Sequence, residues 1–225
     1  MITDLLKKTT VFSSLKDEGL KEISPLFEHL SFKDDAYIFM EGDPSDWFYV
    51  TASGRVKIVK HTITGKDIIL EIMSPGDIFG GVAVLDKKPL PASAQAMEPV
   101  SVIRINRKNL INIMEEHPAL KLEVVKYFSG RLRDAHETLK NIATERVEKR
   151  IASLLLKLSE KVGTDDKGYR KIDFPLTRQE IAEMVGTTVE TSIRTMSKFQ
   201  KQGMVKSLQR KITVDTKLLH KFLEE

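Results

Sequence analysis

Glu190 and Arg194 stand four residues apart in the stretch T-T-V-E-T-S-I-R-T-M-S-K-F-Q-K-Q-G, Thr187 to Gly203. On a helix that spacing places both side chains on one face, one turn apart. A guanidinium fork can donate to two acceptors at once, as guanine offers at O6 and N7, and a carboxylate can accept from the amino group of cytosine. The same pair can also bond to each other, so that the carboxylate aims the guanidinium. An ordinary ion pair on a solvated helix face is the plainer alternative. Glu190 and Arg194 are therefore candidates for contact with base edges, and Ser197, Lys198 and Lys201 on the same outward surface suit phosphate oxygens.

Such chemistry requires a helix held rigidly at a surface, and the flanking residues supply one. Thr177 with Glu180, and Thr187 with Glu190, each fit the T-x-x-E capping box at a helix start. Gly186 between them permits the left-handed backbone that ends a first helix, and Gly203 sits where the second stops. The pattern predicts a second helix from about Thr188 to Gln202. Its Val189, Ile193 and Met196 would face Ile181, Ala182 and Val185 of the first. Two helices joined by a tight turn form a helix-turn-helix, whose second helix enters the major groove of double-stranded DNA by its N-terminal end. Thr177, Arg178 and Thr188 at the helix starts are candidate contacts to the DNA backbone. Val205 to Leu208 and Ile212 to Val214 read as a hairpin around Gln209-Arg210-Lys211, a wing whose Lys206, Arg210 and Lys211 could touch phosphates. Asp215 then caps a last helix, with Leu218, Leu219 and Phe222 closing the small core.

Charge agrees with that placement. Residues 1–140 carry 19 Lys/Arg against 20 Asp/Glu, and residues 141–225 carry 17 against 12, so the whole surplus of +4 lies with the helix-turn-helix. A basic surplus is the electrostatic footprint of phosphate binding. The 225 residues suffice for two domains, and 41% hydrophobic with 30% charged is a globular composition. Cysteine is absent, which excludes disulfides, thiolate metal sites, cysteine-ligated iron–sulfur clusters and cysteine nucleophiles. The chain opens on no charged-then-apolar leader and holds no long apolar run, so the expectation is a cytoplasmic protein with no membrane partner.

Upstream, short apolar runs alternate with turn residues from Ser31 to Ile105: Tyr37 to Met40, Trp47 to Val50, Val56 to Val59, Ile68 to Met73, Ser93 to Met97 and Val100 to Ile105. Gly42, Gly54, Gly65 and Gly76 punctuate them at intervals of 11 or 12 residues. Evenly spaced turns between short strands predict a β-barrel of jelly-roll type, able to enclose side chains or one small ligand. Leu5 to Phe12 and Gly19 to Leu30 read as helices before it. Pro118 opens a long helix to about Ile142. Along it Val125, Phe128, Leu132, Ala135, Leu139 and Ile142 step by three and four, the seam of a coiled coil and hence of a homodimer; packing on its own barrel is the alternative. A further helix, Glu145 to Val162, follows, then a polar loop over Gly163 to Lys171. The expected class is α+β, with an effector-sensing barrel over 1–116, a dimerisation helix over 117–143 and a winged helix-turn-helix over 144–225.

This order of parts resembles the CRP/FNR family of bacterial transcription regulators. The likeness rests on L-T-R-Q-E-I-A-E-M-V-G at 176–186, T-V-E-T-S-I-R at 188–194, G-D-P at 42–44, G-R-V-K-I at 54–58 and P-G-D-I-F-G at 75–80. It implies a homodimer on a palindromic operator, with RNA polymerase as a further partner and a small effector in the barrel. It also implies that Val189, Glu190 and Arg194 stand at the base edges. Val189 matches the fumarate-nitrate type, whereas the Ser that type places before the Arg is replaced by Ile193, with Ser192 one step earlier. The effector pocket would be lined by Phe79, Gly80, Gly81, Val82, Ala92 and Ser93 with Ala135 and His136 of the long helix. Relatives that bind cyclic nucleotides carry a Glu after F-G and an Arg about ten residues on; Gly81 and Ala92 occupy those places, which disfavours cyclic AMP. Heme, used by some relatives to sense NO or CO, stays open through His29, His61, His117, His136 and His220, although these show no ligand spacing. The effector itself is unknown from sequence. No G-x-G-x-x-G, P-loop, G-x-S-x-G or H-E-x-x-H motif points to an enzyme. A ligand-sensing module that acts on protein partners is disfavoured by the basic C-terminal surplus.

Overall fold

The structure, a computed structural model, describes residues 2–63, 65–166, 169–208 and 211–225. Two compact units divide the chain, residues 1–134 and 135–225. The first is built from eight antiparallel strands: β1 Glu28–Phe32, β2 Tyr37–Phe39, β3 Trp47–Ser53, β4 Val56–His61, β5 Asp67–Met73, β6 Ile78–Phe79, β7 Ser93–Ala96 and β8 Val100–Asn106. They form two sheets, ordered β1-β8-β3-β6 and β2-β7-β4-β5. This is the expected jelly-roll, and the apolar side chains between its sheets make the core. Gly42, Gly54, Gly65 and Gly76 all have positive φ. At Gly54 the requirement is double, because a β-carbon there would also lie 2.5 Å from the Pro99 carbonyl oxygen.

Helices α1 Ile2–Lys8 and α2 Asp17–Ile23 precede the barrel. The helix expected to reach Leu30 stops seven residues earlier, because Pro25 leads the chain into a 3-10 turn, Ser24–Leu26, and residues 28–32 pair with β8 as an edge strand. Two short helices escaped the sequence reading: α3 Gly81–Asp86, and α4 Arg107–Glu116, whose N-cap Asn106 accepts from the backbone N–H of Asn109.

Next comes α5, Pro118–Thr144, two residues longer than expected. Its seam divides. Leu122, Val125, Leu132, Leu139 and Ile142 are 48–65% exposed, whereas Phe128 packs into the barrel core beside Tyr127. Arg131 turns to the barrel. It pairs with Glu71 of β5 and donates through Nη1 to the Ile78 carbonyl at 3.1 Å, which also accepts from the Tyr127 hydroxyl at 3.1 Å.

In the second unit α6 Val147–Val162 is followed by β9 Gly163–Asp166 and β10 Tyr169–Ile172, then α7 Arg178–Val185, α8 Val189–Lys201, β11 Val205–Leu208, β12 Lys211–Val214 and α9 Thr216–Glu224. Where a polar loop was expected, residues 163–166 and 169–171 are thus in strands. Ile172 is fully buried, and Arg170 fixes the hairpin by donating from Nε to the Ser159 carbonyl and from Nη2 to the Gly163 carbonyl, each at 2.8 Å. Those bonds tie β10 to the end of α6, where the Ser159 carbonyl also accepts from the Gly163 N–H. The four strands join in the order β11-β12-β10-β9. Asp215 caps α9 as expected, accepting from the Leu218 N–H at 3.0 Å. Leu219 is buried and Phe222 meets Phe199 edge-on at 5.3 Å, but Leu218 is 38% exposed and does not close the core.

Candidate nucleic-acid interface

Thr177 begins α7 with a complete capping box. Its hydroxyl accepts from the Glu180 N–H at 3.1 Å and donates to the Glu180 carboxylate at 2.8 Å, and its own N–H donates to that carboxylate at 2.7 Å. Gly186, at φ 67°, ends the helix. The second expected box is not formed, and the cap falls one residue later. Thr188, not Thr187, is the N-cap of α8, its hydroxyl accepting from the Thr191 N–H at 3.2 Å. Glu190 is thereby released from capping Thr187. Its carboxyl is held below the ordinary range by its own backbone N–H and then by Thr188, so it presents as an acceptor.

The buried side of α8 consists of Ser192, Thr195, Met196 and Phe199. Met196 was expected there. Ile193 was too, but it is 49% exposed, on the outward side with Glu190, Arg194, Ser197, Lys198 and Lys201. The reason is helical geometry: Phe199 is the largest apolar side chain of the segment, and burying it together with Met196 rotates position 193 out to solvent. Val189 is half-buried. Among the described residues no ion pair joins Glu190 to Arg194, so the guanidinium is not neutralised by its expected partner. Ser192, which the sequence offered as a displaced counterpart of a base-contacting serine, is fully buried with its hydroxyl unpartnered.

Of the backbone candidates, Thr188, Ser197, Lys198, Lys201 and Lys206 are exposed, and Thr177 and Arg178 are half-buried. Burial lowers the Arg178 guanidinium from its usual range. Lys206 holds its ammonium 4.4 Å from the centre of the Tyr169 ring, a cation–π contact. Lys211 bonds Asp173 at 2.7 Å, and its charge, with that of Lys171, keeps the Asp173 carboxyl low. Arg210, at the tip of the expected wing, lies outside the described residues. Tyr169 and Asp173, which hold these two lysines, were missed from sequence because nothing nearby in the chain marks them.

Residues 149–222 match the Crp-like helix-turn-helix domain, and residues 29–117 match the cyclic nucleotide-binding domain. The chain belongs to the CRP/FNR family of transcription regulators. It is 27% identical over 203 residues to the CRP-like cAMP-activated global transcriptional regulator of Mycobacterium tuberculosis, covering 90% of this chain and 91% of that one. It is 28% identical to the transcriptional activator protein Anr of Pseudomonas aeruginosa, covering 84% and 75%. The solved structure of FixK2 from Bradyrhizobium japonicum superposes with a TM-score of 0.77 at 25% identity, covering 87% and 96%.

Of the residues expected to line an effector pocket, Phe79, Gly80, Gly81, Val82, Ala92 and Ser93 lie in the first unit. Phe79 stacks on Tyr49 at 5.1 Å and meets Phe39 at 5.9 Å. Gly80 opens α3 at φ 74°. At Gly81 a β-carbon would lie 2.9 Å from Phe48 Cε2 and 3.0 Å from Phe128 Cζ, so any side chain there would have to displace these rings. Ala92 is buried, and Ser93 is fully buried with its hydroxyl accepting from the Glu41 N–H at 2.9 Å. Val82 is 55% exposed and points away from this interior. Ala135 and His136 are exposed on α5, in the second unit. The histidines do not gather: His61 bonds Asp67 at 2.7 Å and His220 lies 4.0 Å from Glu160. Among the described residues no group of three or more His, Cys, Asp and Glu could hold a metal ion.

Proposed function

We propose that the protein works as a homodimer that reads a palindromic operator. In each protomer the N-terminal half of α8 enters the major groove, with Glu190 and Arg194 at the base edges and Val189 beside them. The observation that carries this is the outward row of Glu190 and Arg194 on a helix capped and buried on its other side. Thr177, Arg178, Thr188, Ser197, Lys198, Lys201, Lys206, Arg210 and Lys211 would meet the phosphate backbone. The exposed apolar residues of α5 support the dimer, since Val125, Leu132 and Leu139 repeat every seven residues and water would otherwise cover them. A two-fold axis through that seam calls for two inverted half-sites about 34 Å apart, one turn of DNA.

The effector, if the protein uses one, would be a molecule other than cyclic AMP. A nucleotide phosphate and ribose need a cation and a carboxylate, and Ala92 and Gly81 offer neither, with two phenylalanine rings crowding position 81. RNA polymerase as a further partner follows from the family alone. Operator selection from random duplex DNA by the full-length protein tests the reading. The expected product is an inverted repeat with that spacing, enriched equally with and without cyclic AMP. A single unrepeated site would overturn the dimeric reading, and enrichment only with cyclic AMP would overturn the effector reading.

A further inference from the structure

Two rows of side chains run side by side along the exposed surface of α8. Glu190 and Arg194 form the polar row, and Val189 and Ile193, each one residue earlier, form an aliphatic row. Single exposed apolar residues are common on protein surfaces and need no explanation. Ile193 is unusual in its surroundings: it is 49% exposed one turn into a helix whose remaining exposed positions are polar or charged. Its neighbours one turn away on the same surface are Glu190 and Ser197. Half-buried Val189 supports it from the N-terminal side. Ser192, the nearest hydroxyl that might have offered hydrogen bonding instead, is turned into the core.

We propose that Ile193 is a specificity residue that reads the C5-methyl group of a thymine next to the base pair contacted by Arg194. The proposal rests on the reading of α8 as the recognition helix. Thymine is the only base that presents an apolar group in the major groove, so an aliphatic side chain there selects it by burying methyl against methyl. A hydroxyl-bearing side chain at this position would favour a hydrogen-bonding edge; Ile193 cannot make that bond and would leave such an edge unsatisfied.

The test uses the operator selected by the full-length protein, with each thymine of both half-sites replaced in turn by deoxyuridine, which removes the methyl group alone. Deoxyuridine at one symmetric position should weaken binding of the unaltered protein about three- to fivefold per half-site, the worth of one buried methyl group. Ile193→Ala should lose a similar factor on the thymine operator and bind the thymine and deoxyuridine forms alike. This variant retains the helix, because position 193 is exposed and alanine is a strong helix former; circular dichroism checks it. Arg194→Ala should bind more weakly but keep the sensitivity to the methyl group. Indifference of the unaltered protein to deoxyuridine at every position would overturn the proposal, as would a methyl effect that persists in Ile193→Ala. Failure to select any operator would overturn the underlying reading of α8, a result distinct from both.

Discussion

Replacing Gly81 by alanine should destabilise the barrel unit by a net of about 1–2 kcal/mol. The added β-carbon would meet Phe48 Cε2 at 2.9 Å and Phe128 Cζ at 3.0 Å, and overpacking of this kind costs about 1–3 kcal/mol. Phe48 cannot retreat, since its ring is 1% exposed and edge-on to Phe12 at 6.1 Å. Alanine's better helix propensity, worth up to about 1 kcal/mol inside a helix, offsets part of the cost. The natural reporter is Trp47, the single tryptophan, on β3 with the Arg104 guanidinium 3.8 Å from its ring. Urea unfolding followed by its fluorescence therefore reads the barrel unit and not the other. Phe128→Leu removes the Cζ contact, so the double variant Gly81→Ala/Phe128→Leu should be more stable than the sum of the single effects by at least about 0.5 kcal/mol, as expected for residues in contact. A Gly81→Ala protein within about 0.3 kcal/mol of the parent, or strict additivity in the cycle, would refute the reasoning.

Arg194→Ala should cost about 1–3 kcal/mol on the best operator and relax preference at one base pair, while Lys201→Ala should weaken specific and random DNA alike and flatten the salt dependence; fluorescence anisotropy at several salt concentrations separates the two. Leu132→Asp, in the middle of the exposed α5 seam, should shift sedimentation toward the monomer without lowering the melting temperature of the barrel, because the side chain is already 57% exposed. Burial pushes the Tyr127 phenol up to about 12 from an ordinary 10. The fold therefore holds the neutral form, and this contribution is complete below pH 10 and lost as the pH rises toward 12. Tyr127→Phe should flatten that alkaline fall in stability, measured by urea midpoints along the pH series.

The parts of this molecule most legible in the sequence are those governed by local backbone chemistry. The glycines at 42, 54, 65 and 76 mark turns because each adopts positive φ, and Thr177 with Glu180 makes the capping box its spacing suggests. Errors arose where two local solutions competed. Thr187 and Thr188 are both plausible caps, and the hydroxyl of the second is the one aligned with an open N–H, which Thr187 could have matched only by starting the helix a residue sooner. On α8 the choice of Ile193 over Phe199 as a core residue reversed one edge of the site; the i, i+3, i+4, i+7 row of Ser192, Thr195, Met196 and Phe199 was hidden by its two polar members. Illegible altogether were contacts set by long-range pairing. Arg131 with Glu71 and Arg170 with the end of α6 each depend on a strand meeting a helix, and Lys206 on Tyr169 depends on two strands that flank β12; no periodicity encodes them.

The position of β12 inside its sheet has a consequence for how the chain tolerates cleavage. β12 is hydrogen-bonded to β11 on one side and to β10 on the other, with Ile172 facing Ile212 across the inner pair. A chain cut after α8 would lose β11, β12 and α9 together, and β10 would be left with a bare row of N–H and C=O groups beside an uncovered apolar face. Such an edge is a template for pairing with another chain. Fragments ending near Gly203 would thus be prone to associate strand to strand, and the 22 residues that follow would act as a stopper on aggregation as much as a mount for basic side chains.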